Sequence, residues 1–312
     1  MVSKSIKLSV VVPTFNRGDK IENVLNSLKN QYFKDFEVLV VNDGSTDNTE
    51  IILNELLQKD WPFPLRVIHQ ENKGRSGVRN SGFSLAQAEI IVSIDDDMRL
   101  DAHCLEEHYK HHLLYPGSIL AGEQKEDIRI AKTDIQKYVA YARVDWNKSL
   151  QNVSYPMKPE EIYITAANFS ISKTTFNKIG GFDEKLRAVV DYDLAMRATL
   201  LNIPIYYNSN ASGWHDDFIT CRWYVLRRRQ GTLNENKLQE LKPELVAQFH
   251  RYKDENISAF KKWLYGLLAH KILVTIIDHY NFLPYVLPAK IRFKLYPAIV
   301  TALGKYYPDK KI

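Results

Sequence analysis

Over the first hundred residues, apolar and polar positions alternate with two different periods. Mostly apolar runs at 8–12, 36–41, 65–69 and 89–94, each broken by one or two polar residues, predict strands buried on both faces. Between them apolar residues recur at helical spacing, as Ile21, Val24, Leu25 and Leu28 do, and again within 49–57 and 76–88. Loops rich in Asn, Asp, Gly and Ser separate the two kinds of segment. Strictly alternating strands and helices predict an α/β domain with a mostly parallel sheet flanked by helices. Ligands of such sheets sit at the carboxyl ends of the strands. The residues just after each strand are therefore the ones to inspect for chemistry.

They are well equipped. Pro13, Thr14, Phe15, Asn16 and Arg17 follow the first run, Asn42, Asp43 and Gly44 the second, and Asp95, Asp96 and Asp97 the fourth. The helix after the third run carries Arg79 and Asn80. On extended backbone Asp95 and Asp97 face the same way, which suits a divalent cation with a diphosphate behind it. The same acidic run also suits an N-cap for a helix beginning near Asp101. Asp43 can accept from a base N–H or a ribose hydroxyl, and Arg79 can meet a phosphate. Equally, the stretch NDGSTD makes a good turn and cap, and Gly74 and Gly77 permit close helix packing.

Past residue 100 the pattern is less regular. The stretch 101–114 contains His103, Glu107, His108, His111 and His112 at spacings that imitate a zinc site without HExxH order. Its polar composition predicts a solvated helix face. A strand is expected over 118–122, a helix over 134–150, a mobile loop over 147–159 near the acceptor side, and a strand over 162–171. A turn at 180–184 precedes a helix over 189–200, and 205–208 predicts a short edge strand. From Phe218 onward helices dominate: a basic, aromatic one with Arg222, Trp223, Tyr224 and Arg227 to Arg229, a charged one over 237–254 and an apolar one over 260–279.

Four ordered motifs carry a specific resemblance: PTFNR, VNDGSTDNT, KGRSGVRNSG and the DDD at 95–97. Together they resemble the nucleotide-binding half of a family 2 glycosyltransferase of the GT-A, Rossmann-like fold. The resemblance implies that Pro13, Thr14, Asn16, Asp43, Lys73, Gly74 and Arg79 line the pocket for a nucleotide-sugar donor. It makes Asp97 the ligand of a divalent cation, Mn²⁺ or Mg²⁺, in a DxD motif, and puts Asp95 or Asp96 nearer the ribose. The stretch GGFDEKLRAVVDYDLAMRA extends the likeness into the acceptor half. There Asp191 matches the general base, while Val190 stands where relatives often carry a first acid. His215, within WHDD, matches a histidine that resembles a further metal ligand. A lone histidine with such neighbours also reads as structural. No QxxRW pattern of processive polymerising members follows the basic helix, so single-sugar transfer with inversion is implied. The implied domains are a transferase domain at 1–230, with a nucleotide-binding half at 1–100 and an acceptor half at 101–230, and a helical extension at 231–312.

Composition adjusts this picture in one place. Among 312 residues, 45% are hydrophobic and 25% charged, as in an ordinary folded protein, and two isolated cysteines support neither a disulfide framework nor a zinc knuckle. From Tyr285 to the end stand six basic residues and one acid, an excess as large as the +5 net charge of the whole chain. Aromatic residues Phe282, Tyr285, Phe293, Tyr296, Tyr306 and Tyr307 interleave with them, which suits an anionic membrane surface; a packed appendage or a dimer interface accounts for the same residues. No apolar run reaches the length of a signal peptide or a membrane span. The expectation is a cytoplasmic protein, peripheral at the inner face of the cytoplasmic membrane through 285–312. The expected partners are a nucleotide-sugar, UDP-linked by default, and a glycan or lipid-linked acceptor of polysaccharide or cell-envelope biosynthesis. Nucleic acid is disfavoured, because the body is neutral and lacks a recognised binding module. A non-catalytic nucleotide-sugar-binding scaffold and a nucleotidyltransferase of similar architecture are the alternatives.

Overall fold

A computed structural model describes residues 5–249, 257–280 and 283–312. Strands β1 (Leu8–Thr14), β2 (Phe36–Asn42), β3 (Leu65–His69) and β4 (Ile90–Ile94) are joined by helices α1 (Gly18–Lys29), α2 (Thr49–Leu57) and α3 (Gly74–Leu85). There follow β5 (Met98–Leu100), α4 (Cys104–Leu114), β6 (Ile119–Lys125), α5 (Asp134–Gln151), β7 (Asn168–Ser172), α6 (Lys173–Ile179), α7 (Val190–Leu200) and β8 (Ile205–His215). The remainder is helical: α8 (Cys221–Leu241), α9 (Pro243–Ala247), α10 (Ala259–Leu268), α11 (Lys271–Thr275), α12 (Leu283–Val286) and α13 (Ala289–Thr301), with π turns at Ile276–Tyr280 and Ala302–Tyr306.

The eight strands form one mostly parallel sheet in the order β3-β2-β1-β4-β7-β6-β8-β5. β1 pairs in parallel with both β2 and β4, so the chain reverses its direction of travel across the sheet beside β1. That is a topological switch point, where a crevice opens at the carboxyl ends of the strands. β7 enters antiparallel between β4 and β6. The largely apolar runs have their expected cause. Every residue of β1 and β2 is buried, and Val10, Val12, Val38, Val40 and Val92 share a core with Ile21, Leu25, Leu28 and Leu53 from the helices.

By compactness the chain divides into two units. One comprises Met1–Lys125 with Trp146–Asp216, and the other Glu126–Asp145 with Asp217–Ile312. The helical unit has an apolar core of its own, built from Ile135, Tyr138, Cys221, Val225, Val274, Tyr296, Ile299 and Leu303. Inside it Asp134 accepts from Arg292 Nε at 2.6 Å and from the Tyr296 hydroxyl at 2.6 Å. Asp278 accepts from the backbone N–H groups of Cys221 and Arg222, satisfying donors that the start of α8 would otherwise leave open.

Several expectations change. The strand over 205–208 runs on to His215 and is interior, parallel to β6 and antiparallel to β5. The histidines of α4 are not a solvated face. His108, His111 and His112 are buried, with His108 and His112 on the Ser170 hydroxyl at 2.8 Å and His111 on Ser118 at 2.8 Å. Burial pushes His108 and His111 down to about 4 and His112 down to about 3, so all three are neutral at pH 7. The helix over 237–254 breaks at Lys242, where Pro243 begins α9. Residues 250–254 of that stretch, and Phe282 of the tail, lie outside the described residues. Two members of the basic-aromatic tail, Arg292 and Tyr296, are buried.

Candidate active site

The strand ends on either side of the switch point meet directly. Thr14, last residue of β1, donates its hydroxyl to Asp96 Oδ2 at 2.7 Å across the crevice from β4. Beside it, Asn16 adopts a left-handed backbone (φ 53°), which Asn tolerates better than most residues. Its Oδ1 accepts from Thr46 N at 2.7 Å and its N–H donates to the Ser45 hydroxyl at 2.9 Å, tying the loop after β1 to the loop after β2. Pro13 and Thr14 stand in register with Val41 and Asn42.

Asp43 is buried and heavily used. Its Oδ1 accepts from Lys73 N at 2.8 Å and Gln70 Nε2 at 2.7 Å, and its Oδ2 from Gly74 N at 2.9 Å. The carboxylate thus holds the N-terminus of α3, where negative charge is favourable. Gly44 follows with φ 72°, and a Cβ there would come within 2.9 Å of Asn72 N, so the loop requires glycine. Further along α3, Arg79 is buried, ion-paired through Nη2 with Asp95, and donates from Nη1 to Arg75 O at 2.9 Å.

The three consecutive carboxylates are held apart by three different partners. Asp95 takes Arg79 and Asp96 takes Thr14, while Asp97 lies 3.6 Å from Arg17 Nη2 and 3.4 Å from His215 Nε2. Burial, reinforced by the neighbouring charge of Asp97, pushes Asp96 up to about 7 in spite of its bond from Thr14. The facing ladder fixes the Asp97–His215 pair. Met98 pairs with His215, and Asp216 N donates to Asp97 O at 2.8 Å. Arg99 grips Asp216 through Nε at 2.8 Å and Nη2 at 3.1 Å, and Lys20 Nζ donates to Asp216 O at 3.0 Å. A buried carboxylate and an imidazole nitrogen within 4.8 Å of each other make a candidate site for a metal ion.

Asp191 sits in the first turn of α7, half-buried, accepting from Tyr192 N at 2.9 Å. Val189 before it takes a left-handed backbone (φ 57°), a strained conformation for a β-branched residue. The loop leading there is clasped by α3: Asn80 bonds Phe182 through both N–H and C=O, and Ser76 donates to Leu186 O at 3.0 Å. Asp193, two residues on, is fully buried and receives Arg197 Nε at 2.9 Å and Nη2 at 2.7 Å. Arg197 also donates to the carbonyls of Ile179 and Gly181 at 2.7 Å each. The DL..R part of the motif is therefore a clasp on the glycine turn, leaving Asp191 as the reachable carboxylate.

The expected donor-side residues thus lie at the carboxyl end of β1, on the loops after β1, β2 and β4, or at the cap and first two turns of α3, with His215 at the end of β8; the expected base Asp191 lies at the start of α7. Sequence reasoning missed the supporting set of Lys20, Arg99 and Asp216. Only Asp216 carried a signal, as the residue after His215 in WHDD.

A mostly parallel sheet with a switch point beside β1, and a carboxylate run at the end of β4, has the architecture of the GT-A glycosyltransferase fold. The chain belongs to glycosyl transferase family 2, whose family model matches residues 9–179. A Campylobacter jejuni protein named GalNAc(5)-diNAcBac-PP-undecaprenol β-1,3-glucosyltransferase is 37% identical over 94 residues, 30% of this chain and 30% of that protein. The probable glycosyltransferase YdaM of Bacillus subtilis is 28% identical over 260 residues, 80% of this chain and 60% of that one. The match thus spans under a third of the Campylobacter protein and under two thirds of YdaM. Among solved structures, the mannosyltransferase PcManGT of Pyrobaculum calidifontis, in complex with GDP-Man and Mn²⁺, has the same fold (TM-score 0.63, 16% identity, 99% of this chain and 89% of that one). TarS 1-349 of S. aureus, in complex with UDP-GlcNAc, also aligns (TM-score 0.53, 19% identity, 96% and 80%). No helix among the described residues is long and apolar enough to cross a membrane.

Proposed function

We propose that this chain is an inverting, non-processive glycosyltransferase that moves one sugar from a nucleotide-sugar to a hydroxyl of a glycan or lipid-linked acceptor. The observation that carries the proposal is the Asp97–His215 pair, 3.4 Å apart at the carboxyl edge of the sheet beside the Thr14–Asp96 bond. Pro13, Thr14, Asn16, Asp43, Lys73 and Gly74 form the nucleotide side, Arg79, Asp95 and Asp96 the side toward ribose and diphosphate, and Asp97 with His215 the cation site. Mn²⁺ or Mg²⁺ bound there supplies positive charge for the departing diphosphate. Asp191 removes the proton from the acceptor hydroxyl, whose oxygen bonds to the anomeric carbon as the bond to the diphosphate oxygen breaks. Attack opposite the leaving group inverts that carbon. UDP is the default nucleotide, supported by TarS with UDP-GlcNAc, while GDP-Man in PcManGT keeps GDP as the rival. The undecaprenol-linked substrate in the Campylobacter relative's name supports a lipid-linked acceptor of cell-envelope polysaccharide synthesis. Such a role places the protein in the cytoplasm, peripheral at the inner membrane face. The exposed Lys290, Lys294, Lys310 and Lys311 of 285–312 support that contact.

The test is thermal stabilisation and slow hydrolysis across a panel of nucleotide-sugars, with and without Mn²⁺ or Mg²⁺, for the wild type and Asp97→Ala. A cation-dependent shift that the variant loses, with release of free sugar, supports transfer and names the donor. Binding without hydrolysis or transfer to any glycan acceptor moves the reading to a non-catalytic nucleotide-sugar scaffold.

A further inference from the structure

Helix α10 carries apolar side chains on two sides. Tyr265 and Leu268 pack against the core of the helical unit, where Tyr265 stacks on Tyr306 with ring centroids 4.9 Å apart, and Ala269 is fully buried. These contacts hold the helix in place. Phe260, Trp263, Leu264 and Leu267 recur at i, i+3, i+4 and i+7 and remain 70, 60, 38 and 58% exposed. Four large apolar residues on one helical strip, with the Phe260 and Trp263 rings 5.9 Å apart, are a patch rather than scattered exposure. Its surroundings are basic. Lys261 and Lys262 lie on the same helix off the strip, Lys271 follows, and no acid occurs between 257 and 277; from 257 to 312 nine basic residues face two acids.

We propose that α10 lies in the interface of an anionic phospholipid bilayer, with Phe260, Trp263, Leu264 and Leu267 below the headgroups and Lys261 and Lys262 against lipid phosphates. Ten residues are too few to span a bilayer, and an indole suits the headgroup boundary. A second copy of the chain is a poorer occupant. A two-fold contact through this strip would draw together two strongly basic units, each with nine basic residues and two acids over 257–312. The proposal deepens the membrane contact proposed for 285–312. It rests on α10 and not on the transfer reaction.

The experiment is co-sedimentation of the full chain with phosphatidylcholine vesicles, with and without phosphatidylglycerol, at low and high salt. The expected result is binding that needs phosphatidylglycerol and weakens with salt. The combined substitution Phe260→Ser, Trp263→Ser and Leu267→Ser should weaken it by about 100-fold at an unchanged melting temperature. Lys261→Gln with Lys262→Gln, which leaves the apolar strip intact, should cost roughly 30-fold on anionic vesicles. Full binding by both α10 variants, together with loss in a Lys290, Lys294, Lys310 and Lys311→Gln variant, would overturn the role of α10 and leave the tail contact standing. A wild type that binds no vesicle would overturn both membrane readings without touching glycosyl transfer. Self-association removed by the α10 substitutions, without vesicle binding, would identify a second copy as the occupant and also overturn the proposal.

Discussion

Two acidic clusters flank the candidate site, and they distribute their carboxylates in opposite ways. At the end of β4, Asp95, Asp96 and Asp97 are crowded together, each with its own partner: Arg79, the Thr14 hydroxyl, or Arg17 with His215. At the start of α7, Asp191 and Asp193 are also two residues apart, yet one is half-buried and the other wholly enclosed. The β4 carboxylates sit in a turn that Met98 N closes onto Asp95 O, so the three charges stay close together and oppose one another. On a helix, residues i and i+2 point nearly opposite ways, which makes one structural and one reachable carboxylate.

Substitutions in the two clusters should accordingly fail in different ways. The largest effect is expected for Asp193→Ala, which leaves Arg197 mostly buried without its carboxylate and loosens the clasp on Ile179 and Gly181. Denaturant titration should show a loss of about 3–5 kcal/mol. A neighbour two residues away should behave otherwise. Asp191→Asn should keep the fold and donor affinity while kcat falls by roughly 10²–10⁴-fold. A drop in donor affinity equal to the drop in kcat would assign Asp191 to binding, and the contrast between the two α7 carboxylates would vanish.

In the β4 cluster the expected loss is of donor affinity. Asp97→Ala should weaken nucleotide-sugar binding by about 10- to 100-fold with Mn²⁺ present and change little once the cation is chelated, read by calorimetry in both conditions. Equal weakening in both would make the Arg17 contact, rather than a cation, the reason for Asp97.

How much of this was legible in the sequence follows from where each residue's partners lie. β1, β2 and β4 were readable because burial on both faces demands largely apolar runs. β8 was not, since its polar side chains are satisfied from far along the chain: Ser212 and Trp214 by Asp101, Asn208 by Glu107. The α4 histidines misled for the same reason, because Ser170 lies 58 residues beyond His112. The placement of Thr14, Asp43 and Asp95 to Asp97 at strand ends could be read from the rule for parallel sheets. Their pairing could not, since the Thr14–Asp96 bond spans 82 residues. In the tail, Arg292 and Tyr296 read as surface residues from sequence; both are tied to Asp134, and Tyr296 packs in the core of the helical unit.

The smallest effect tests the crowding itself. Asp96 is pushed up from 3.8 to about 7, chiefly by burial and then by Asp97. As pH rises from about 4 to 7 the unfolded chain releases this proton while the folded chain keeps it. The folded state then binds more protons, and its stability falls across that window and levels off above it. Asp96→Asn removes the titration yet can still accept from Thr14. In chelated buffer its stability advantage over wild type should be absent near pH 4, grow toward neutrality, and level off above about pH 7. The buried α4 histidines do not enter this difference, because they titrate alike in both proteins. An advantage that did not change with pH would mean that Asp96 is ionised throughout, with the crowding at β4 relieved by Arg17 and Arg79 alone.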